Sequence, residues 1–270
     1  MPRVRPNRRS VLLGALAGLA ATTAGRGAQA ETTTVRIGAT AGPHAQILEA
    51  VRPVAARQGI DLRIVEFSDY ITPNIALDSG DLQANSYQHK PFLDQQIKDR
   101  GYRIEAVGYT VNFPLGIYSR RWKRWAEVPE GAQIAIQNDP TNGGRSLLLL
   151  QEAGVIGLRE GVGLLPSLLD VTSNPHKLRF VEIDAAQAPR ALDDVDAAAV
   201  NTNFAIPAKL NPTRDALLRE TPKGPYVNLV AVRSVDRDKP WVRALVDSYR
   251  SDEVKAFILA TFDGAVLPSW

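Results

Sequence analysis

The sequence predicts an α/β protein with two lobes, each a mostly parallel sheet flanked by helices, joined by two extended crossings. Strand and helix patterns alternate over residues 35–108, which is typical of an open sheet covered by helices. The same alternation starts again over residues 133–201. Between and after these stretches, residues 109–118 and 225–232 favour long extended segments. Two alternating stretches separated in this way indicate two lobes that the chain connects twice.

The first lobe is predicted from apolar strand patterns that alternate with helix patterns. Thr72-Pro73 is typical of a helix start, and Gly80 and Gly101 are typical of helix ends. Pro53 is expected to kink or shorten the first helix, because proline lacks the amide donor that a helix interior needs. Strands are expected over residues 35–38, 62–67, 82–87 and 103–108, and helices over residues 47–54, 72–79 and 91–100.

The crossing at residues 109–118 interrupts this rhythm, because Val111, Phe113, Leu115 and Ile117 alternate across it with period two. Beyond the crossing the strand and helix patterns resume and predict the second lobe. Strands are expected there over residues 133–137, 178–183 and 196–201, and helices over residues 145–153 and 186–192.

Assigning the elements to lobes gives the expected bounds. The return crossing at residues 225–232 leads to two amphipathic helices that end the chain. We therefore expect one lobe over residues 31–112 and 227–270, and a second lobe over residues 113–226.

A turn rich in Asn, Pro and Gly separates the strand ending at Gln137 from the helix that carries Arg145. Thr141 or Asn142 is expected to cap this helix, which places Arg145 in its first turn. Free backbone N–H groups at a helix start bind anions, whereas the macrodipole there disfavours a cation. The pattern favours a ligand carboxylate or phosphate held by Arg145 and the turn amides. The alternative is an ordinary pair between Arg145 and a surface carboxylate.

Polar residues follow several predicted strands at the point where each strand ends. These clusters lie at residues 68–70, 87–89, 138–145 and 201–203, and Asn228 lies in the return crossing. Ligands of open α/β sheets bind outside the carboxyl ends of the strands. The sequence therefore predicts a ligand-binding cleft between the lobes.

Residues 1–30 have the pattern of an export signal, with four arginines before an apolar segment and a small-x-small cleavage site that ends at Ala30. The Arg8-Arg9 pair favours the twin-arginine route, with an ordinary basic n-region as the alternative. Cleavage after Ala30 removes five arginines and no acidic residue, which leaves 27 basic and 29 acidic residues and a net charge of −2 instead of +3. The charge therefore gives no reason to expect a nucleic-acid partner.

The chain contains no cysteine, which excludes disulfides, thiolate catalysis and cysteine metal ligands. No metal, other cofactor or catalytic residue is expected. A lipid anchor on an N-terminal cysteine is excluded on the same ground. The predicted location is the periplasm, as a soluble protein released by cleavage near Ala30.

Five motifs occur together in the mature chain. They are Tyr87–Leu93, Asn138–Arg145, Ala186–Asp194, Asn201–Asn203 and Pro225–Asn228. With these motifs the chain resembles the methionine-binding solute-binding proteins of ABC importers, of the MetQ/NlpA type, from Val35 to Trp270. The resemblance implies a periplasmic binding protein fold that closes around a free amino acid and delivers it to a membrane permease.

The resemblance also implies roles for individual residues. Arg145 would hold the ligand carboxylate, with Asn142 in the same motif, and Asn203 and Asn228 would hold the zwitterionic backbone. The wall around the ligand side chain would consist of Tyr70, Tyr87 and His89, together with Phe113. Aromatic walls suit a thioether, since each sulfur–aromatic contact contributes roughly 0.3–1.5 kcal/mol.

Structural roles remain as alternatives for several of these residues. Tyr70 and Tyr87 would otherwise be core aromatics, and His89 a buried imidazole or the cap of the helix that begins at Pro91. Asn203 would otherwise cap the helix after its strand. Asn201 is expected to be structural, and neither His44 nor His176 is given a role.

The predicted function is capture of a free amino acid, most specifically L-methionine, for an ABC permease and its ATPase subunits, by a protein expected to be a monomer. Another methionine derivative, another apolar amino acid or a short peptide is the alternative ligand. A periplasmic enzyme is less favoured, because the sequence has no Gly-x-Ser-x-Gly elbow, no P-loop and no metal-ligand histidine pair. A periplasmic chaperone or a surface antigen is the third alternative. Members of the family are commonly lipoproteins, and the lack of cysteine departs from that pattern.

Overall fold

The computed structural model describes residues 32–270 together with Pro2, so the export signal predicted for residues 1–30 lies, apart from Pro2, outside the described residues. The strands are β1 (Thr33–Thr40), β2 (Ile60–Phe67), β3 (Ala84–Asn85), β4 (Ile104–Asn112), β5 (Gly116–Tyr118), β6 (Gln133–Gln137), β7 (Gly157–Leu158), β8 (Val171–Ser173), β9 (Arg179–Ile183), β10 (Ala197–Val200), β11 (Leu218–Arg219), β12 (Val227–Arg233) and β13 (Leu267–Pro268). The α-helices are α1 (Pro43–Arg57), α2 (Thr72–Ser79), α3 (Lys90–Arg100), α4 (Pro140–Glu152), α5 (Ala188–Ala191), α6 (Thr202–Ala205), α7 (Pro240–Tyr249) and α8 (Asp252–Thr261).

The first lobe is built on a six-stranded sheet with the strand order β13-β4-β12-β3-β1-β2. Strands β2, β1 and β3 are parallel, whereas β12 is antiparallel to β3 and β4, and β13 is antiparallel to β4. Side chains of β12 alternate between two core clusters, with Val230 and Val232 in one and Leu229 and Ala231 in the other. Because successive strand side chains point to opposite faces, this sheet is covered on both sides.

The second lobe is built on a five-stranded sheet with the strand order β11-β5-β10-β6-β9. Strands β10, β6 and β9 are parallel, and β5 is antiparallel to both β10 and β11. Ala197 and Ala199 lie in one core cluster, and Ala198 and Val200 in another, so this sheet is also buried on both faces. Two α/β lobes with sheets flanked by helices confirm the predicted fold class.

Each sheet has three parallel strands on one side and, on the other side, antiparallel strands formed by the crossings and their neighbours. The predicted fourth strand and the first part of the crossing form one strand, β4, which pairs with the return crossing β12 over Val227 to Arg233. Since β4 and β12 carry the chain in opposite directions between the lobes, they must pair antiparallel.

Several element boundaries differ from the sequence prediction. Pro53 does not end α1, which continues to Arg57. The predicted third strand shortens to Ala84–Asn85. The helix predicted over residues 186–192 consists of a 3-10 turn followed by the short helix α5.

The start of α4 is the boundary that matters for the site. Asp139 caps this helix, because its side chain accepts hydrogen bonds from the backbone N–H groups of Thr141 and Asn142, and Pro140 occupies the first turn. Arg145 therefore lies past the first turn, and the expected cap at Thr141 or Asn142 is wrong. A Cβ atom on Gly143 would lie 2.6 Å from the carbonyl oxygen of Gln137, so only glycine lets the helix start this close to the end of β6.

Candidate functional site

In the described part of the chain a cavity lies between the two lobes. It is lined at the carboxyl ends of strands by residues of both lobes, and all eight residues predicted from the sequence are among them. The lining residues are His44, Tyr70, Tyr87, Gln88, His89, Phe92, Phe113, Asn142, Arg145, Asn201, Thr202, Asn203 and Asn228.

The first lobe contributes an aromatic wall. The ring of Tyr70 lies 6.1 Å from that of Tyr87 and 5.9 Å from that of Phe92, measured between centroids. The hydroxyl of Tyr87 donates to the carbonyl oxygen of Tyr70 at 2.8 Å. Burial raises the pKa of both tyrosines, so both hydroxyls remain protonated donors. This wall presents ring faces and edges to the cavity and no charge.

His89 has two roles, since it caps α3 and also lines the cavity. The backbone N–H of Phe92 donates to Nδ1 of His89 at 3.2 Å, which leaves the proton on Nε2. Nε2 then donates to Oδ1 of Asn142 in the second lobe at 3.3 Å. Burial, and secondarily the charge of Arg145, lowers the pKa of His89 to about 3. The imidazole is therefore neutral and offers the cavity a donor and a ring.

His44 lies in the first turn of α1, and its ring centroid is 4.5 Å from that of Phe113. Among the described residues no group hydrogen-bonds to Nδ1 of His44, although this atom is buried. Burial lowers the pKa of His44 to about 3. No role was predicted for this residue, whereas the structure places a neutral imidazole in the lining of the cavity.

The second lobe contributes Arg145, whose side chain is 3% exposed and is held on three sides. Nε donates to Oε1 of Glu220 at 3.0 Å, and Nη2 donates to Oε2 of the same carboxylate. Nη2 also donates to the carbonyl oxygen of Phe113 at 2.9 Å. The ring of Tyr226 lies 4.3 Å from the guanidinium carbon. Within residues 32–270 no hydrogen bond is found for Nη1, which is the remaining pair of donors.

The pairing of Arg145 corrects the expectation drawn from its turn. Its partner is a carboxylate that is only 12% exposed, and Glu220 was not singled out from the sequence. The amides of Thr141 and Asn142 donate to Oδ1 of Asp139, at 3.2 and 2.9 Å. These turn amides are therefore satisfied by the cap. Of the two groups predicted to bind an anion, the turn amides and Arg145, only Arg145 keeps free donors.

A chain of buried amides lies behind the second-lobe wall. Ser146 Oγ donates to Oε1 of Gln137 at 2.6 Å, and Nε2 of Gln137 donates to Oδ1 of Asn201 at 2.8 Å. Nδ2 of Asn201 then donates to Oδ1 of Asn142 at 2.8 Å. The amide of Asn142 in turn donates to the carboxylate of Asp139 at 2.9 and 3.1 Å. Every amide in this chain has only one orientation that satisfies its neighbours.

Side-chain hydrogen bonds join the two lobes directly across the cleft. The hydroxyl of Tyr70 donates to Oδ1 of Asn203 at 2.7 Å, and Nδ2 of Asn203 donates to Oγ1 of Thr40 at 3.4 Å, in addition to the contact between His89 and Asn142. Asn228 lies in the return crossing and forms an isolated bridge with His89 through the backbone. No side-chain hydrogen bond of Asn228 is found in residues 32–270. The cleft is thus held closed by neutral groups, with the amide of Asn228 and Nη1 of Arg145 free to meet a ligand.

Sequence reasoning missed five lining residues as well as Glu220 and Tyr226. Gln88, Phe92, Thr202 and Tyr226 lie inside motifs that had been recognised, so their position next to named residues was an available signal. Asn201, which was expected to be structural, lines the cavity and also orients Asn142. No local pattern marks His44 or Glu220.

Within residues 32–270 no group of three His, Cys, Asp or Glu side chains is placed to hold a metal ion. Over the same residues no helix is long and apolar enough to cross a membrane.

The protein has two α/β lobes linked by two crossings, and free hydrogen-bond donors line the cleft between the lobes. This architecture is that of the two-lobed solute-binding proteins. The aromatic first-lobe wall and the polar second-lobe wall together enclose a space suited to a small molecule with both apolar and polar parts.

Comparison with known proteins assigns the chain to a family within this class. The model of the NlpA lipoprotein family matches residues 35–270. The D-methionine-binding lipoprotein MetQ of Escherichia coli K12 is 45% identical over 239 residues, which cover 87% of this chain and 88% of that protein. A nutrient-binding protein of Burkholderia cenocepacia, solved with methionine bound, is 48% identical with a TM-score of 0.86, covering 87% of this chain and all of that one. The chain belongs to the NlpA lipoprotein family.

The comparisons correct the predicted location. The family is described as lipoproteins, and both MetQ and Lipoprotein 28 of Escherichia coli O157:H7, which is 41% identical over 239 residues, carry that name. They indicate a membrane-anchored lipoprotein, so the prediction of a soluble periplasmic protein without a lipid anchor is wrong. That prediction depended on the export signal pattern with cleavage near Ala30 and on the lack of cysteine in this chain.

Proposed function

We propose that this chain is the solute-binding component of an ABC importer and that it captures methionine in the cleft between its lobes. The observation that carries the proposal is the division of the cleft into an aromatic wall and a wall with one guanidinium and several amides. The names of the MetQ relative and of the Burkholderia protein with bound methionine support the choice of ligand.

The polar end of the ligand would be held by the second lobe and the return crossing. Arg145 would donate from Nη1 to the ligand carboxylate, as its other donors already meet Glu220 and Phe113. The ligand ammonium needs acceptors, and the side-chain oxygen of Asn228 and the remaining lone pair of Asn203 Oδ1 supply them. Asn142 would keep its place in this set through its bonds to Asp139 and Asn201.

The side chain of the ligand would occupy the first-lobe part of the cleft. Tyr70, Tyr87, Phe92 and Phe113 offer aromatic surface, and His89 is neutral and so adds no charge. A thioether gains from sulfur–aromatic contacts of roughly 0.3–1.5 kcal/mol each, whereas a charged side chain would lose its hydration without a partner. This chemistry favours methionine over polar amino acids.

Delivery would follow from closure of the lobes on the ligand. We propose lobe bounds of 31–112 with 227–270 and of 113–226, with β4, β5 and β12 forming the crossings. A ligand that touches both lobes binds the closed arrangement better than the open one, and this difference in affinity drives closure. The closed form, acting as a monomer, would be the form that a permease with its ATPase subunits receives.

An enzyme remains the second function class. Ser146, the serine next to Arg145, donates its hydroxyl proton to the side-chain oxygen of Gln137, which is an amide and not a base. A serine bound in this way is not activated for nucleophilic attack. A binding function therefore fits this part of the site better than acyl transfer.

The test is calorimetry of the refolded protein with L-methionine, D-methionine and L-norleucine, which replaces the sulfur by a methylene group. We expect one-to-one binding of methionine, and norleucine to bind about two- to tenfold more weakly because it lacks the sulfur–aromatic contacts. The two enantiomers establish the chirality of the ligand. Binding of a polar amino acid in preference to methionine, or no binding of any amino acid, would contradict the proposal.

A further inference from the structure

Glu220 lies just after β11 and outside the cavity lining, yet it controls the orientation of Arg145. Its side chain is 12% exposed and accepts from Nε and Nη2 of Arg145 and from the backbone N–H of Leu115 at 3.1 Å. Its own backbone N–H donates to the carbonyl oxygen of Leu115 at 2.9 Å. The carboxylate is therefore fixed to the first crossing, and the guanidinium is fixed to the carboxylate.

The charges around the cavity are few. Among its lining residues in the described chain, Arg145 carries a permanent charge, the two histidines are neutral, and none is acidic. Glu220 lies behind Arg145 and supplies one negative charge within hydrogen-bond distance of it. The buried pair is thus neutral as a whole, although Nη1 remains a donor directed by the fork that Nε and Nη2 form with Glu220.

We propose that Glu220 is a positioning residue that also sets the charge of the accepted ligand. By balancing Arg145, it makes the cleft select a zwitterionic amino acid over a simple carboxylate anion. The inference rests on the proposed function, since it concerns the same cleft and the same carboxylate contact. The inference does not depend on the chemistry of the ligand side chain.

The physical reason is the electrostatic balance of a site that excludes water. A zwitterion adds no net charge to the neutral pair of Arg145 and Glu220. An anion leaves one negative charge without compensation, and a buried charge of this kind is strongly unfavourable. Neutralising Glu220 reverses the situation, because Arg145 then has a full positive charge to share with an anion.

The experiment compares three ligands that share one side chain. They are L-methionine, 4-(methylthio)butanoate, which lacks the ammonium group, and L-methioninamide, which lacks the carboxylate. Each is titrated calorimetrically into the wild-type protein, Glu220→Gln and Glu220→Asp. Glutamine keeps the shape of the side chain and one acceptor oxygen for Leu115, whereas aspartate keeps the charge at a shorter reach.

In the wild type we expect L-methionine to bind most tightly, and the anion and the amide, which each add one net charge to the site, both to bind more weakly. In Glu220→Gln the affinity of the anion relative to the amide should rise about tenfold or more, as expected for one charge removed at short range in a buried site. Glu220→Asp should keep the wild-type ratio even where all affinities fall. A role that is only structural would lower the affinities together and leave the ratios unchanged.

The outcomes separate the inference from the proposed function. Binding of L-methionine with an unchanged ligand ratio in Glu220→Gln would overturn the inference and leave the function intact. Failure of the wild type to bind any amino acid would overturn the function and the inference with it. If Glu220→Gln does not fold, the wild type decides, because an anion that binds as tightly as L-methionine contradicts a site that selects the zwitterion.

Discussion

The two walls of the cleft have opposite chemistry. The first-lobe wall, with Tyr70, Tyr87, Phe92 and the two neutral histidines, is aromatic and carries no permanent charge. The second-lobe wall carries a guanidinium and amides whose orientations are fixed by hydrogen bonds. The first wall can recognise shape and polarisable surface, and the second can recognise a charged head group.

This difference explains why closure can depend on the whole ligand. A molecule with only an apolar part would satisfy one lobe, and a molecule with only a polar head group would satisfy the other. Only a ligand with both parts contacts both walls and gains the differential affinity that favours the closed form. The different chemistry of the two walls also predicts how mutations and pH affect each of them.

The largest effect is expected from Arg145→Gln in the second-lobe wall. It removes the carboxylate contact and leaves Glu220 buried without its partner, so the free energy of unfolding should fall by about 3–5 kcal/mol. Binding of L-methionine should be lost at the concentrations used in calorimetry. Urea unfolding and titration measure the two losses separately.

The double variant Arg145→Gln/Glu220→Gln is the matched control. It leaves no unpaired charge and should recover most of the stability without recovering the binding of methionine. A double variant that binds as well as the wild type would show that Arg145 does not hold the ligand.

Mild acid should act on the first-lobe wall, because guanidinium does not titrate and the two histidines do. The pKa values of His44 and His89 fall from 6.5 to about 3 on folding, so the unfolded chain binds more protons than the folded chain between these values. Stability therefore decreases as pH falls through this window, by about 2 kcal/mol for each histidine at pH 5. Urea unfolding at pH 7 and pH 5 measures this loss.

Two histidine variants test which residues cause the loss of stability between pH 7 and pH 5. His44→Asn and His89→Asn should each remove about half of the difference between pH 7 and pH 5, whatever their stability at pH 7. Carboxylates contribute little at pH 5, which is above the ordinary pKa of aspartate of about 3.9. A pH dependence that neither variant reduces would contradict the assignment.

The smallest effect is expected when the hydrogen bond between Tyr70 and Asn203, which joins the two walls, is removed. Tyr70→Phe removes the hydroxyl that reaches Asn203 in the other lobe, and should weaken methionine binding about five- to tenfold, as for one net hydrogen bond. Tyr87→Phe removes a hydroxyl that bonds within the same lobe and should change binding much less. Equal losses in the two variants would show that the bond across the cleft has no special part in closure.

The fold was predictable from local patterns, and the pairing of the crossings was not. Alternating strands and helices are visible in the sequence, but the antiparallel pairing of β4 with β12 joins segments more than a hundred residues apart. The cap of α4 was predictable, since Asp139 followed by Pro140 is a recognised helix start. Placing it at Thr141 or Asn142 ignored that signal.

The site was predictable where it depends on single residues and unpredictable where it depends on pairs. All eight proposed residues line the cavity because they follow strands or lie in a crossing, which the sequence reveals. The bond between Arg145 and Glu220 spans 75 positions, and the ring contact between His44 and Phe113 is similarly remote. Such partners are brought together by the sheets and have no local signature.

The amide chain behind the second-lobe wall has a consequence for divergence within the family. Gln137 and Ser146 are fully buried and touch no ligand, yet they fix the orientation of Asn201 and thus of Asn142. A mutation at either position would be inherited together with compensating changes in the other residues of this hydrogen-bonded amide chain. We therefore expect positions 137, 146, 201 and 142 to covary, so that a change of ligand preference during evolution can begin at a residue outside the cavity.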